Sequence, residues 1–222
     1  NIARREDVAA LMQRVNEEFG RLDLLINNAG IIHPFSTLEQ LDRALAERVF
    51  AVNFWGTTNM ALEALPLLRR SNAPLLVNIG SIGAVVPTIG QAFYGASKAA
   101  MVQLMHALAL ELDAEGIDVM LVFPGAMYTN ILKNASGAGG EETQKKMLSV
   151  LESHGRFSRA LLMTPAVAAR RIVNSLERRP RQLFIGGDAR LLGMMHRVMP
   201  AITRRLFAKV MSKAPGMSGM QK

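Results

Sequence analysis

Four short apolar runs set the terms on which this chain can fold. They are Leu22-Asp23-Leu24-Leu25-Ile26, Leu75 to Ile79, Ile117 to Phe123 and Arg181 to Ile185. A short apolar run bounded by glycine, proline or polar residues is the pattern of a parallel strand buried on both faces. Between the runs lie longer stretches of helical periodicity. Val8, Leu11, Met12, Val15 and Phe19 recur at helical spacing and stop at Gly20. Leu38 to Leu68 reads as helix with Pro66 near its end and a break before Asn53, and Ala92 to Leu112 reads as a helix apolar all round. Thr164-Pro165 supplies a capping hydroxyl and a first-turn proline to a helix ending near Glu177. At 222 residues, half of them apolar, the chain can bury the core of one α/β domain. Sheets of that class hold ligands at the carboxyl ends of their strands.

Ser81 stands at such an end, directly after the Leu75 to Ile79 run. Thirteen residues on, Tyr94 and Lys98 are four apart on one helix, so phenol and ammonium share a face. A free phenol, with a pKa near 10, exchanges protons poorly at neutral pH. An adjacent cation favours the phenolate, so Lys98 is expected to bring Tyr94 toward the useful range. Gly80-Ser81-Ile82-Gly83 is no hydrolase elbow, because Ile79 occupies the place where the elbow needs glycine. The Ser81 hydroxyl is better used as a donor to a substrate carbonyl.

Asn27-Asn28-Ala29-Gly30, the lone Asn53 in Val52-Asn53-Phe54-Trp55-Gly56, Ser81, Tyr94-x-x-x-Lys98 and Pro124-Gly125-x-x-x-Thr129 occur in one order and spacing. Together they resemble the short-chain dehydrogenase/reductase family, from the first residues to about Ile185. The resemblance implies a doubly wound, Rossmann-like parallel sheet and an NAD(P)-dependent oxidoreductase interconverting an alcohol and a carbonyl. It casts Tyr94 as general acid/base, Ser81 as oxyanion donor, Lys98 as the group that tunes Tyr94 and bonds the cofactor ribose, and Asn53 as support for the proton relay. Asn27, Ala29 and Gly30 fall to the adenosine side of the cofactor and its neighbouring strands. Pro124, Gly125 and Thr129 fall to the nicotinamide end. The cofactor is NAD or NADP, since the residue that chooses belongs to a strand ahead of Asn1. The family pattern opens with strands and a glycine-rich turn that precede Asn1, so the expectation is a piece of a longer protein lacking the first βαβ portion.

Two regions are expected, a partial Rossmann-like domain over 1–187 and a basic amphipathic extension over 188–222. Residues 178–222 hold ten Lys/Arg against one acid, net +9, while residues 1–177 are net −1. The body is therefore neutral, which argues against a whole-surface nucleic-acid binder. In the extension, Leu191, Leu192, Met195, Val198, Met199, Ile202, Leu206 and Val210 are expected to share one face, opposite Arg190, Arg197, Arg204, Arg205 and Lys209, with a kink at Pro200. Peripheral membrane contact through residues 188–213 is one expectation, and a helix packed over its own domain is the other. There is no cysteine, and the four histidines are scattered without ligand spacing, so no metal site is expected. His106 reads as a core histidine. A cytoplasmic setting is expected, at a membrane surface if the extension docks there. Residues 130 to about 162 read as a lid over a small alcohol or carbonyl substrate, and the lid's apolar residues suggest a lipophilic one. The apolar helix through Tyr94 makes a homodimer a candidate arrangement. The rival reading is a truncated, inactive relative serving as a membrane-surface or protein-binding module.

Overall fold

The computed structural model describes residues 1–125, 127 and 163–211. Thr129, the lid expected over 130–162 and the chain beyond 211 lie outside the described residues. Four parallel strands, β1 (Leu24–Asn27), β2 (Leu75–Ile79), β3 (Asp118–Pro124) and β4 (Gln182–Ile185), lie side by side in sequence order. Asn27 is in register with Asn78, Ile79 with Val122 and Pro124 with Ile185. Their carboxyl ends therefore line one edge, and every site residue predicted on a strand end is brought there.

Seven helices accompany the sheet among the described residues: α1 (Arg5–Phe19), α2 (Arg43–Phe50), α3 (Thr57–Leu68), α4 (Ala92–Asp113), α5 (Pro165–Val173), α6 (Gly187–Val198) and α7 (Pro200–Met211). Side chains alternate between the two faces of a strand, so β2 splits its apolar residues. Leu76 joins Leu121 and Phe123 beneath Leu68 of α3 and Met101, Met105 and Leu112 of α4. Leu75 and Val77 join Met120, Val122 and Ile185 beneath Ala168 and Ile172 of α5. The result is the doubly faced α/β architecture that the alternation of runs requires.

Several local expectations are corrected. Burial in β1 alternates, with Leu24 and Ile26 37% and 41% exposed, so this strand is covered on one face only. It is the end strand of the described sheet and lacks a second helical layer. The long helix expected over Leu38 to Leu68 is a short 3-10 turn at Leu38–Gln40 followed by α2, a π-helical turn at Ala51–Gly56, and α3. Asp42 starts α2 by accepting the Ala44 N–H, which is why the helix begins there rather than at Leu38. Helix α4 is not covered all round: Met101, Met105, Leu108 and Leu112 form its core side, while Leu110 is 72% exposed. Thr164 caps α5 as expected, through the Val167 N–H, but the helix gives way to turns after Val173. His106 is not a core residue; its ring meets the exposed Gln182 side chain. Among the described histidines the buried one is His33.

The C-terminal segment also departs from the pattern. Ala189 and Gly193 seat α6 on β4, where a Cβ at Gly193 would stand 2.7 Å from Cε1 of Phe184. Small residues thus form the inner face, and Leu191, Met194 and Val198 point outward. At Met199 the backbone leaves helical geometry (φ −135°, ψ 68°), and Pro200 opens α7, a position where its missing N–H costs nothing. The expected kink is a full break.

Candidate active site

The site is assembled from the carboxyl ends of β1 and β2, the π turn and the first two turns of α4. Ser81 follows β2, and its Oγ accepts the Gly83 N–H at 3.0 Å, closing a 3-10 turn over Ile82–Ala84. That turn rests on α4 because two glycines face each other: a Cβ at Gly95 would stand 3.1 Å from the Gly83 carbonyl. The consequence is that Ser81 and Tyr94 lie together: a Cβ at Gly83 would stand 3.4 Å from Ser81 Oγ and 3.7 Å from the Tyr94 ring. The Gly83 N–H engages one of the two lone pairs of the Ser81 hydroxyl and leaves its O–H as a donor.

One turn along α4, Lys98 is buried, and its Nζ donates to the Ile79 carbonyl at the end of β2, 2.9 Å away. Gly30 closes over it. A Cβ at residue 30 would lie 3.2 Å from the lysine Nζ and 3.3 Å from Asn53 Oδ1, so the constraint on this glycine comes from the lysine and the asparagine. An ammonium has three donors, of which Ile79 takes one. Burial lowers the Lys98 pKa to about 8.

Asn53 is completely buried within the π turn. Its Oδ1 accepts the Ile31 N–H at 2.8 Å, and its Nδ2 donates to the Ile31 carbonyl at 2.9 Å and to Ser97 Oγ at 3.0 Å. Ser97 in turn donates to the Tyr94 carbonyl at 2.8 Å. One side chain therefore ties the loop after β1 to the helix that carries Tyr94 and Lys98. An asparagine in a regular helix competes with the backbone; here the loop backbone at Ile31 and the Ser97 hydroxyl take both of its donors and one of its acceptor sites.

Burial pushes the Tyr94 phenol above its ordinary value, and the Ser81 hydroxyl pulls the other way. The Lys98 ammonium, one turn along, donates to the Ile79 carbonyl and is itself desolvated.

Other predicted residues are placed more loosely. Asn27 Nδ2 donates to Asn78 Oδ1 across β1 and β2 at 2.9 Å, tying neighbouring strands. Ala29 is exposed at the end of β1 beside Gly30. Pro124 ends β3, and the Gly125 N–H reaches the Ile185 carbonyl at 2.9 Å, so this pair borders β4 rather than Tyr94. The Asp188 carboxylate fills the space a Cβ at Gly125 or Gly186 would need. Sequence reasoning missed Asn78, although a polar residue inside an apolar strand was its signal. It also missed a stitch between His33 and Gln91: Gln91 Nε2 donates to the His33 carbonyl at 2.9 Å, and both side chains are buried. Among the described residues no three acidic, cysteine or histidine side chains gather as metal ligands, and no helix is long and apolar enough to cross a membrane.

Comparison with known proteins bears directly on this geometry. A family model described as short chain dehydrogenase matches residues 1–138. SadH of Mycobacterium tuberculosis, named as an oxidoreductase, is 30% identical over 215 residues, which is 96% of this chain and 75% of that protein. The crystal structure of a short-chain dehydrogenase from Streptomyces avermitilis superposes with a TM-score of 0.71 at 26% identity, covering 95% of this chain and 77% of that one. The Pseudomonas aeruginosa RhlG/NADP active-site complex matches at 36% identity with a TM-score of 0.54, covering 57% and 51%.

Proposed function

Since the chain belongs to the short-chain dehydrogenase family, we propose that it carries the catalytic residues of an NAD(P)-dependent oxidoreductase interconverting an alcohol and a carbonyl. The observation that carries this reading is that Ser81 Oγ and the Tyr94 ring both flank Gly83 at the strand-end edge, with Lys98 buried one turn along.

In the reductive direction the substrate oxygen enters between the two hydroxyls. Ser81 Oγ donates a hydrogen bond to it and stabilises the charge that develops there. Tyr94, whose phenol burial raises above its ordinary value, delivers its proton to that oxygen. The residues fit the nicotinamide half of a dinucleotide. Two Lys98 donors remain for ribose hydroxyls, the exposed Ala29 and the Gly30 backbone flank them, and Pro124, Gly125 and Thr129 are assigned to the carboxamide end. A bound nicotinamide supplies or accepts the hydride. NADP in the active site of RhlG supports this class of cofactor and leaves NAD equally compatible. Asn53 keeps the loop after β1 and α4 at a fixed separation, so that Lys98 and Tyr94 hold their places. The inactive-module alternative gains no support from the relatives, whose names are those of oxidoreductases.

Exposed Leu62 on α3 and Leu110 on α4 make a second copy of the chain the expected cover for that flank. The net +9 of residues 178–222, with the outward apolar residues of α6 and α7, makes an anionic membrane surface the expected partner of residues 188–213.

The decisive experiment is Tyr94→Phe in the protein that carries this chain, assayed by NADH or NADPH consumption over a panel of ketones and aldehydes. Loss of a general acid is expected to lower turnover by about 100- to 10,000-fold, with cofactor affinity by fluorescence nearly unchanged. Wild-type turnover in the Phe variant on every substrate would remove Tyr94 from the role.

A further inference from the structure

Along the outer edge of β4, far from Tyr94 in sequence and on the last described strand, lies a cavity of about 340 Å³. Arg171, Asn174, Ser175 and Arg178 wall it on the α5 side, Leu183 to Ile185 form its floor, and Arg190 at the start of α6 closes it. The neighbouring arginines are matched with acids: Arg179 meets Asp118 and Arg181 meets Asp113, each at 2.8 Å. The three that line the cavity form no ion pair with a described acid, and Arg190 uses only its Nε, on the Phe184 carbonyl. Three guanidinium groups and the Asn174 amide border one hollow and make a donor set for an oxyanion, while the Ser175 hydroxyl is already given to the Arg171 carbonyl at 2.8 Å. Guanidinium forks match phosphate oxygens in particular. The volume suits a headgroup of a few heavy atoms.

What borders the cavity decides the kind of phosphate. Arg190 is followed by Leu191, and Met194 and Val198 continue the same outer face of α6 at helical spacing, 58%, 65% and 71% exposed. Beyond the break, Met199, Ile202 and Leu206 are also exposed, interleaved with Arg197, Arg204, Arg205 and Lys209. A soluble phosphate ester has no use for an apolar border of this extent. A phospholipid, whose acyl chains begin where its headgroup ends, does.

We propose that the Arg171, Arg178 and Arg190 pocket binds the phosphate of an anionic phospholipid headgroup, while the outer faces of α6 and α7 enter the adjoining lipid. This rests on the membrane-surface reading of residues 188–213 and adds to it a defined headgroup site. Long-range attraction by dispersed cations would respond to any anionic surface, and the pocket adds one point of registration that orients the protein on it.

The test is sedimentation of the full protein with vesicles of phosphatidylglycerol and phosphatidylcholine (1:1) or of phosphatidylcholine alone, at low and at physiological salt. Three forms are compared: wild type, R171Q/R178Q and L191S/M194S. All four positions are exposed, and circular dichroism with thermal melting checks that each variant is folded. Expected is sedimentation of the wild type with the anionic vesicles only, and at least a tenfold loss of vesicle affinity in each variant. If the wild type ignores anionic vesicles, the membrane reading and the pocket both fall. If L191S/M194S loses binding while R171Q/R178Q keeps it, the pocket falls and the membrane reading stands. Calorimetric titration with glycerol 1-phosphate separates the sources. Pocket-dependent binding of that ester, with vesicle affinity untouched in R171Q/R178Q, would assign the site to a soluble ligand. A change in molecular mass by light scattering in R171Q/R178Q, without a change in vesicle binding, would make the hollow a subunit contact and overturn the proposal.

Discussion

Lys98 shows how burial and hydrogen bonding at one residue set a measurable pH dependence. Its folded pKa of about 8 lies below the ordinary lysine value of 10.5. Between those values the unfolded chain binds more protons than the folded one, so stability rises with pH across that window. Below pH 8 both states are charged and the burial penalty is constant, on the order of 3 kcal/mol for a shift of this size. The cofactor-free protein should therefore gain stability relative to Lys98→Met as pH rises from about 8 to about 10.5, and not between pH 6 and 7.5. Urea midpoints of both proteins across the range measure this, and parallel profiles would show that the ammonium is not desolvated. The sequence made Lys98, Tyr94 and Ser81 legible because their spacing carries the chemistry. The direction of the Tyr94 shift was not legible, because it depends on how deeply the fold buries the phenol. Asn78 and Ser97 escaped for the same reason: each is polar for a partner that only the fold supplies.

Elements were legible where propensity and packing agreed. Strand β2 spans Leu75–Ile79, and α4 ends one residue beyond the expected Leu112. The break between α2 and α3 was anticipated only as an irregularity near Asn53, since a π turn has no side-chain pattern of its own. Helix α6 was legible only in outline. Its larger apolar residues were open to a membrane surface or to its own domain, and the contact with the sheet is made instead by Gly193 and Ala189, because Phe184, stacked on Phe123 with ring centroids 4.7 Å apart, leaves room for nothing bigger. Gly193→Val would recover some helix propensity, a few tenths of a kcal/mol. The added carbons would meet the Phe184 ring, and overpacking of this kind costs about 1–3 kcal/mol. The net expectation is a destabilised protein by urea unfolding, while Met194→Ala on the outer face stays within about 0.5 kcal/mol of wild type. Equal midpoints for Gly193→Val and wild type would mean that α6 does not rest on β4.

At the scale of the molecule, stability is concentrated in the middle of the sheet. Strands β2 and β3 have hydrogen-bonded neighbours on both sides and apolar cover on both faces, whereas β1 and β4 each have one described neighbour. Amides of Val77, Met120 and Val122 should be among the slowest to exchange with deuterium, and those of Leu24 and Ile26 markedly faster. Exchange at Leu24 as slow as at Val77 would reveal cover over the outer edge of β1. The parallel sheet was legible from the family pattern, but the uneven cover of β1 was not, because an apolar run looks alike whether one face or two are buried. The arrangement of charge has a different consequence. With residues 1–177 near neutrality and Arg190, Arg197, Arg204, Arg205 and Lys209 on the two helices that follow β4, the protein carries a permanent electric dipole. It does not tumble indifferently near a negative surface. Within roughly one Debye length, about 8 Å at physiological salt, the field turns the β4 end forward and leaves the β1 edge trailing. The direction from which the molecule lands is thus selected before any atom touches, and dilution of the salt lengthens the distance over which that selection acts.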